Sequence, residues 1–281
     1  MFNQFKIFLL GIFYLVFFFS SAYSGQQITG EVGVKTILRI CADPNNLPYS
    51  SQNNEGYENK IAELFAKKLG NISVTYSWYP MTAGFVRRTL NAKTCDLIVT
   101  FPAVHEFVQN SNPFYNSSYV LMSLEEKKIN VKTLSDHEIK EKKYKIGIIH
   151  ATPPSSYVAK YNLFEQVKFY RQAADPRKQK PWRDMTNDLV DGKIDMAILW
   201  GPYGGYEAKK AKKPIKIIPL TKEEKVARGK MVYRFTMGIR RNEPEWEKTV
   251  NNLIKENQKE INKILREYNI PLLDNLGNPL K

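Results

Sequence analysis

Cysteine and histidine are scarce in these 281 residues: Cys41 and Cys95, and His105, His137 and His150. Two cysteines with three scattered histidines have no zinc-ligand spacing, so no metal site is expected. No Cys-x-x-Cys pair exists for thiol-redox chemistry, and no Cys-x-x-Cys-His for haem attachment. A nucleophile elbow, a placeable pair of catalytic carboxylates and a Gly-rich loop ending in Lys-Ser/Thr are all missing. These gaps argue against an enzyme and against a resident cofactor. Acid is also in short supply, with 28 Asp and Glu against 42 Lys and Arg and a formal net charge of +14. No basic motif interleaved with aromatics accompanies that charge, so a nucleic-acid partner is not expected.

The chain does contain one long apolar run. Lys6 precedes Ile7 to Phe19, and Ala22-Tyr-Ser24 follows with small residues where a signal peptidase reads. The run is shorter than the roughly 20 residues needed to span a bilayer. We therefore read residues 1–24 as an export signal cleaved after Ser24, with a retained N-terminal anchor as the alternative. No cysteine lies near the cleavage point to carry a lipid, and no membrane span is expected after cleavage. Loss of Lys6 lowers the charge from +14 to +13. The lysines spread widely, as at Lys140 to Lys145, Lys209 to Lys213 and Lys222 to Lys230. They serve either a solvated surface or electrostatic steering toward an acidic protein partner.

Cys41 and Cys95 sit in predicted neighbouring strands, 36–42 and 95–101. An even count in an oxidising compartment favours one structural disulfide, two buried free thiols being the alternative. The first strand leads into a polar Asp-Pro-Asn-Asn loop and an amphipathic helix carrying Ile61, Leu64, Phe65 and Leu69, closed by Gly70. Strands and helices alternate to about residue 219, the pattern of parallel sheets flanked by helices. A returning strand at 234–240 precedes a C-terminal apolar stripe from Trp246 to Tyr268, expected to dock on the first lobe. We divide the chain into a signal (1–24), a flexible leader (25–35), a discontinuous first lobe (36–119 and 232–281) and a second lobe (120–231). In an α/β fold of this kind, ligands meet the loops at strand C-termini.

The segments Arg39-Ile-Cys-Ala-Asp-Pro-Asn-Asn-Leu-Pro-Tyr49, Gly56-Tyr-Glu-Asn59, Gly84-Phe-Val-Arg87, Pro113-Phe-Tyr-Asn-Ser-Ser-Tyr-Val120, Thr152-Pro-Pro154 and Trp200-Gly-Pro-Tyr-Gly-Gly-Tyr206 occur in a familiar order. Together they resemble the MxaJ/XoxJ-type proteins, over about 36–273. Those are periplasmic, solute-binding-protein-like factors encoded beside quinoprotein methanol dehydrogenases. The resemblance implies a bilobed type II periplasmic-binding-protein-like α/β fold, with two parallel-type sheets joined by a two-crossover hinge. It also implies periplasmic localisation and a quinoprotein methanol dehydrogenase as partner, with the cofactor chemistry on that partner. The alternative is a receptor passing a small polar solute to an ABC importer.

Amino-acid receptors of similar build carry an Arg after the third strand that forks onto the ligand carboxylate. Here that stretch reads Phe101-Pro-Ala-Val-His-Glu-Phe107, with Phe107 where the Arg would stand. In the loop His150-Ala-Thr-Pro-Pro-Ser155, two prolines remove two amide donors. The cleft is expected to be lined by Asp43, Asn45, Asn46, Tyr49, Phe101 and His105 from one lobe. His150, Thr152, Trp200 and Tyr203 face them from the other. Duller roles compete: Asp43 and Asn45 as turn-makers, Trp200 as core packing, and Gly201, Gly204 and Gly205 as permitting a tight turn.

Overall fold

The computed structural model describes residues 35–103, 106–173 and 178–280. The expected export signal and nearly all of the leader lie outside the described residues, as does His105. Lys35, the last leader residue, is held: its Nζ lies 3.3 Å from Asp96 Oδ2 and over the Trp246 ring.

In chain order the strands are β1 (Ile37–Ala42), β2 (Asn45–Asn46), β3 (Ser50–Ser51), β4 (Ser73–Trp78), β5 (Leu97–Pro102), β6 (Gln109–Asn110), β7 (Tyr115–Leu124), β8 (Ile146–Ile149), β9 (Val167–Tyr170), β10 (Met196–Trp200), β11 (Ile215–Pro219) and β12 (Val232–Ile239). The helices are α1 (Tyr57–Lys68), α2 (Phe85–Arg88), α3 (Glu138–Glu141), α4 (Ser155–Lys160), α5 (Pro181–Val190), α6 (Gly201–Lys210), α7 (Pro244–Glu256) and α8 (Gln258–Glu267).

The sheet runs β4-β1-β5-β12-β7-β10-β8-β9, with β11 on β7 and β6 on β12. The parallel expectation holds at its flanks, where β1 pairs with β4 and β5, and β8 with β9 and β10. The middle differs. Strand β12 runs antiparallel to β5 and β7, and β7 runs antiparallel to β10 and β11. The two outer blocks are built from strand-helix crossovers, which require parallel pairing, whereas β7 and β12 simply return. Strand β7 belongs to both blocks: Tyr115–Ser118 pair with β12, and Tyr119–Leu124 pair with β10 and β11.

Separate cores lie on the two sides of that division. One packs α1, α7 and α8 against β1, β5 and β12 through Ile61, Phe65, Val250, Leu253, Ile261 and Leu265. The others gather Tyr157, Val158 and Ile198, and Trp182, Met185 and Leu199. The C-terminal stripe thus docks as expected, although a break at Asn257 divides it into two helices. Gly70 takes φ +100°, the left-handed C′ conformation its position called for. Helix α2 is a single turn, entered through Gly84 at φ +89°.

Two covalent or charged ties brace the first lobe. Cys41 and Cys95 form the disulfide, joining β1 to the segment before β5. Burial would raise the Asp96 carboxyl, but hydrogen bonds from Arg39 and Arg240, with Lys35 nearby, bring it down to about 2. Those bonds measure 2.6 and 2.9 Å from Arg39 and 2.8 Å from Arg240, so one buried anion links β1, β5 and the end of β12.

Candidate functional site

The Asp-Pro-Asn-Asn loop is fixed by its own backbone. Asp43 Oδ1 accepts the Asn45 amide at 2.9 Å, and Oδ2 accepts the Met81 amide at 2.6 Å. The two-residue ladder of β2 and β3 continues the turn, and Ser50 Oγ returns a 2.9 Å bond to the Asp43 carbonyl. Asn59 on α1 accepts the amides of Ser51 and Gly56 through one oxygen. Asp43 is therefore spent on loop geometry, the turn-maker role the sequence allowed.

The held loop presents Asn45, Asn46 and Tyr49 to the other lobe, which answers directly. Trp200 Nε1 donates to Tyr49 Oη at 2.6 Å, and Tyr203 Oη donates to Asn46 Oδ1 at 2.9 Å. Lys180 Nζ donates to the Asn45 carbonyl at 2.5 Å. Trp182 stacks on Tyr203 at 4.1 Å and 14°, while Tyr49 meets Tyr203 edge-on at 5.4 Å. Trp200 also packs against Tyr119, Tyr233 and Phe235. Burial pushes the Tyr203 and Tyr49 phenols well above their ordinary value, so both are neutral hydroxyls at any ordinary pH. The face between the loop and α6 is thus a latch of the chain's own indole, phenol and amide groups.

The glycines after Trp200 do not form the tight turn expected of them. They open helix α6, with Pro202 in its first turn. A Cβ on Gly205 would fall 1.9 Å from the Asn269 carbonyl oxygen, and one on Gly201 would fall 2.4 Å from that of Ser118. Their smallness lets α6 lie against β7 and the segment after α8, and this close approach carries Tyr203 to Asn46.

The remaining expected residues lie elsewhere. Phe101 is buried among Cys41, Phe85, Leu90 and Val108. His150 is exposed, its ring edge-on to Phe169, and Thr152 Oγ1 donates to the Ile149 carbonyl at 2.6 Å in a local turn. Among the described residues no three His, Cys, Asp or Glu side chains converge as metal ligands, and no helix is long and apolar enough to cross a membrane.

Sequence reasoning passed over the residues beneath the latch. Glu58 on α1 is buried, and its Oε1 has no hydrogen-bond partner among the described residues. Burial pushes its carboxyl up to about 8 against the pull of Thr100 and Ser50 hydroxyls and the Thr100 amide. Tyr57 Oη lies 3.0 Å from Tyr115 Oη and accepts from Thr100 Oγ1 at 3.2 Å. The available signal was position: Glu58 precedes Ile61, Ala62 and Phe65 at helical spacing, an acid on the buried stripe of α1.

Removing the two latch hydrogen bonds while keeping an aromatic ring at each position tests their weight. We expect Trp200→Phe with Tyr203→Phe to cost about 1–3 kcal/mol in urea unfolding, since each lost bond is worth about 1 kcal/mol net. The radius of gyration in solution should rise as the loop and α6 separate. An unchanged radius and midpoint would show that ring packing alone holds the contact.

A two-lobed α/β fold of this kind is the architecture of extracellular solute-binding proteins. Residues 38–270 match the family described as bacterial extracellular solute-binding proteins, family 3, and the chain belongs to it. The periplasmic binding protein XoxJ from Methylobacterium extorquens AM1 is 35% identical, with a TM-score of 0.70 over 84% of this chain and 99% of that one. MxaJ from Methlophaga aminisulfidivorans MPT is 22% identical, with the same TM-score of 0.70 over 84% and 100%. Protein MoxJ of Methylorubrum extorquens AM1 is 26% identical across 84% of this chain and 81% of its own length. The MxaJ/XoxJ-type resemblance read from the motifs is thereby met.

Proposed function

We propose that this protein is a non-enzymatic periplasmic accessory factor of methanol oxidation, which binds a quinoprotein methanol dehydrogenase and assists its maturation or activation. The observation that carries this reading is the latch. Where a solute receptor holds its cargo between the lobes, Tyr49, Trp200, Tyr203 and Asn46 here bond to one another. Similarity to XoxJ, MxaJ and MoxJ supplies the link to methanol oxidation. A charge of +14 favours an acidic protein partner through faster encounter.

A second reading draws on Glu58. Its unpartnered Oε1 under the latch is an acceptor that a small polar solute with an N–H or O–H could satisfy, as a receptor would require.

Calorimetric titration of residues 25–281 into purified apo and holo methanol dehydrogenase, at about 50 and 300 mM salt, separates the two. The accessory reading expects a saturable signal that weakens severalfold at the higher salt, as screened surface charges require. Silence with both forms, together with tight binding of a small periplasmic solute, would overturn it in favour of the receptor.

A further inference from the structure

A hollow on the first lobe opens beside Met81, whose amide is held by Asp43 of the latch loop. It measures about 610 Å³ and is lined by Met81, Phe85, Val86, Phe101 and Phe107, with Arg87 on its rim. Beside it a second hollow of about 310 Å³ is lined by Glu106, Arg240 and Arg241. Phe107 and Asn91 contribute to both, so an apolar compartment and a cationic one share a wall.

Exposure decides what kind of occupant this surface suits. Phe107 is 58% exposed, and Thr82, Ala83, Arg87 and Asn91 are exposed as well. A small-molecule site encloses most of its ligand, whereas an open apolar hollow with a cationic rim is the anatomy of a protein anchor point. Charge narrows the choice further. Arg240 is committed to Asp96, Glu243 and two carbonyls, and Arg241 gives one N–H to the Glu106 carbonyl, which leaves Arg87 and the remaining N–H groups of Arg241 to face an incoming group. Glu106 is the one acid among the described lining residues. A second copy of this chain, also at +14, is disfavoured by repulsion.

We infer that this surface is a docking socket for an acidic segment of a partner protein. An aromatic or large aliphatic side chain enters the Met81–Phe107 hollow, and flanking carboxylates meet Arg87 and Arg241. The inference rests on the accessory reading only for the partner's identity.

The test uses residues 25–281, labelled with ¹⁵N, and an acetylated, amidated Asp-Glu-Phe-Asp-Glu peptide as the probe. Saturable amide shifts confined to Met81–Arg87, Phe101, Phe107 and Arg241 are expected. Phe107→Ser, Arg87→Glu and a peptide with Ala in place of its Phe should each weaken binding about tenfold, the scale of an anchor residue. Lys140→Glu, the same charge change on the other lobe, should alter it less than about twofold. Shifts elsewhere, none at millimolar peptide, or equal binding by the Phe107 and Arg87 variants would overturn the socket. Phe107 and Arg87 are exposed, so both variants should fold, and matching unfolding midpoints check that. Against the dehydrogenase, equal binding by wild type and Phe107→Ser overturns the inference while the accessory reading stands. Peptide capture at the socket with no dehydrogenase binding retains the socket and removes that reading.

Discussion

Glu58→Gln is expected to stabilise this protein at neutral pH, unlike most changes at a buried polar position. The folded chain keeps its proton on Glu58 up to about 8, while an unfolded glutamate releases it near 4.5. Between those values the folded state binds the extra proton, so stability falls as pH rises through that window. It is fully present below about 4.5 and reaches its floor above about 8. At pH 7 the gap amounts to about 3 kcal/mol. Glutamine keeps the shape, can still accept from the Thr100 amide and carries no charge to ionise. The variant should therefore melt about 5–10 °C above wild type at pH 7, given about 2–4 °C per kcal/mol for a chain of this size. At pH 4 the two should converge. A variant less stable than wild type at both pH values would mean that the carboxylate has a buried partner and is ionised in the fold.

The disulfide gives the second large effect. Cys41 and Cys95 are separated by 54 residues, and closing a loop of that length removes about 4 kcal/mol of unfolded-state entropy. Cys41→Ala with Cys95→Ala should lower the thermal midpoint by about 10 °C. Both side chains are fully buried beside Phe85, Leu90 and Ile98, so the lost sulfur packing adds to that cost. Dithiothreitol should move wild type toward the variant and leave the variant in place. Two titratable thiols in the unreduced, unfolded wild-type chain would overturn this expectation.

Both effects fall in the lobe whose elements were easiest to read. Strand β1 falls within one residue of its expected limits, and α1 is closed by Gly70 as its apolar spacing indicated. Local pattern sufficed there, because a strand buried on both faces and a helix closed by Gly70 each announce themselves within a dozen residues. Helix α6 did not. Gly201, Gly204 and Gly205 are poor helix formers, so local propensity pointed to a turn. The close approach of β7 and Asn269 outweighs that propensity, and neither neighbour is adjacent in the chain. The same distance hid the partners of the site. Asn45, Asn46, Tyr49, Trp200 and Tyr203 could each be picked out as polar or aromatic loop residues. That Trp200 would bond Tyr49, 151 residues away, could not.

By itself the sequence determined the α/β class, the positions of most strands and helices and the excess of basic residues, and it favoured the pairing of its two cysteines without deciding it. These depend on periodicity, turn chemistry, composition and an even cysteine count, all properties of short segments or of the whole chain. Tertiary structure alone decided that β7 serves both lobes, that Glu58 is buried with one oxygen unpartnered among the described residues, and that the interlobe face is occupied by the protein's own aromatic side chains. Those features arise from contacts between segments far apart in the chain. Their geometry exists only after the cost of loop closure has been met and the helices have packed on the shared sheet.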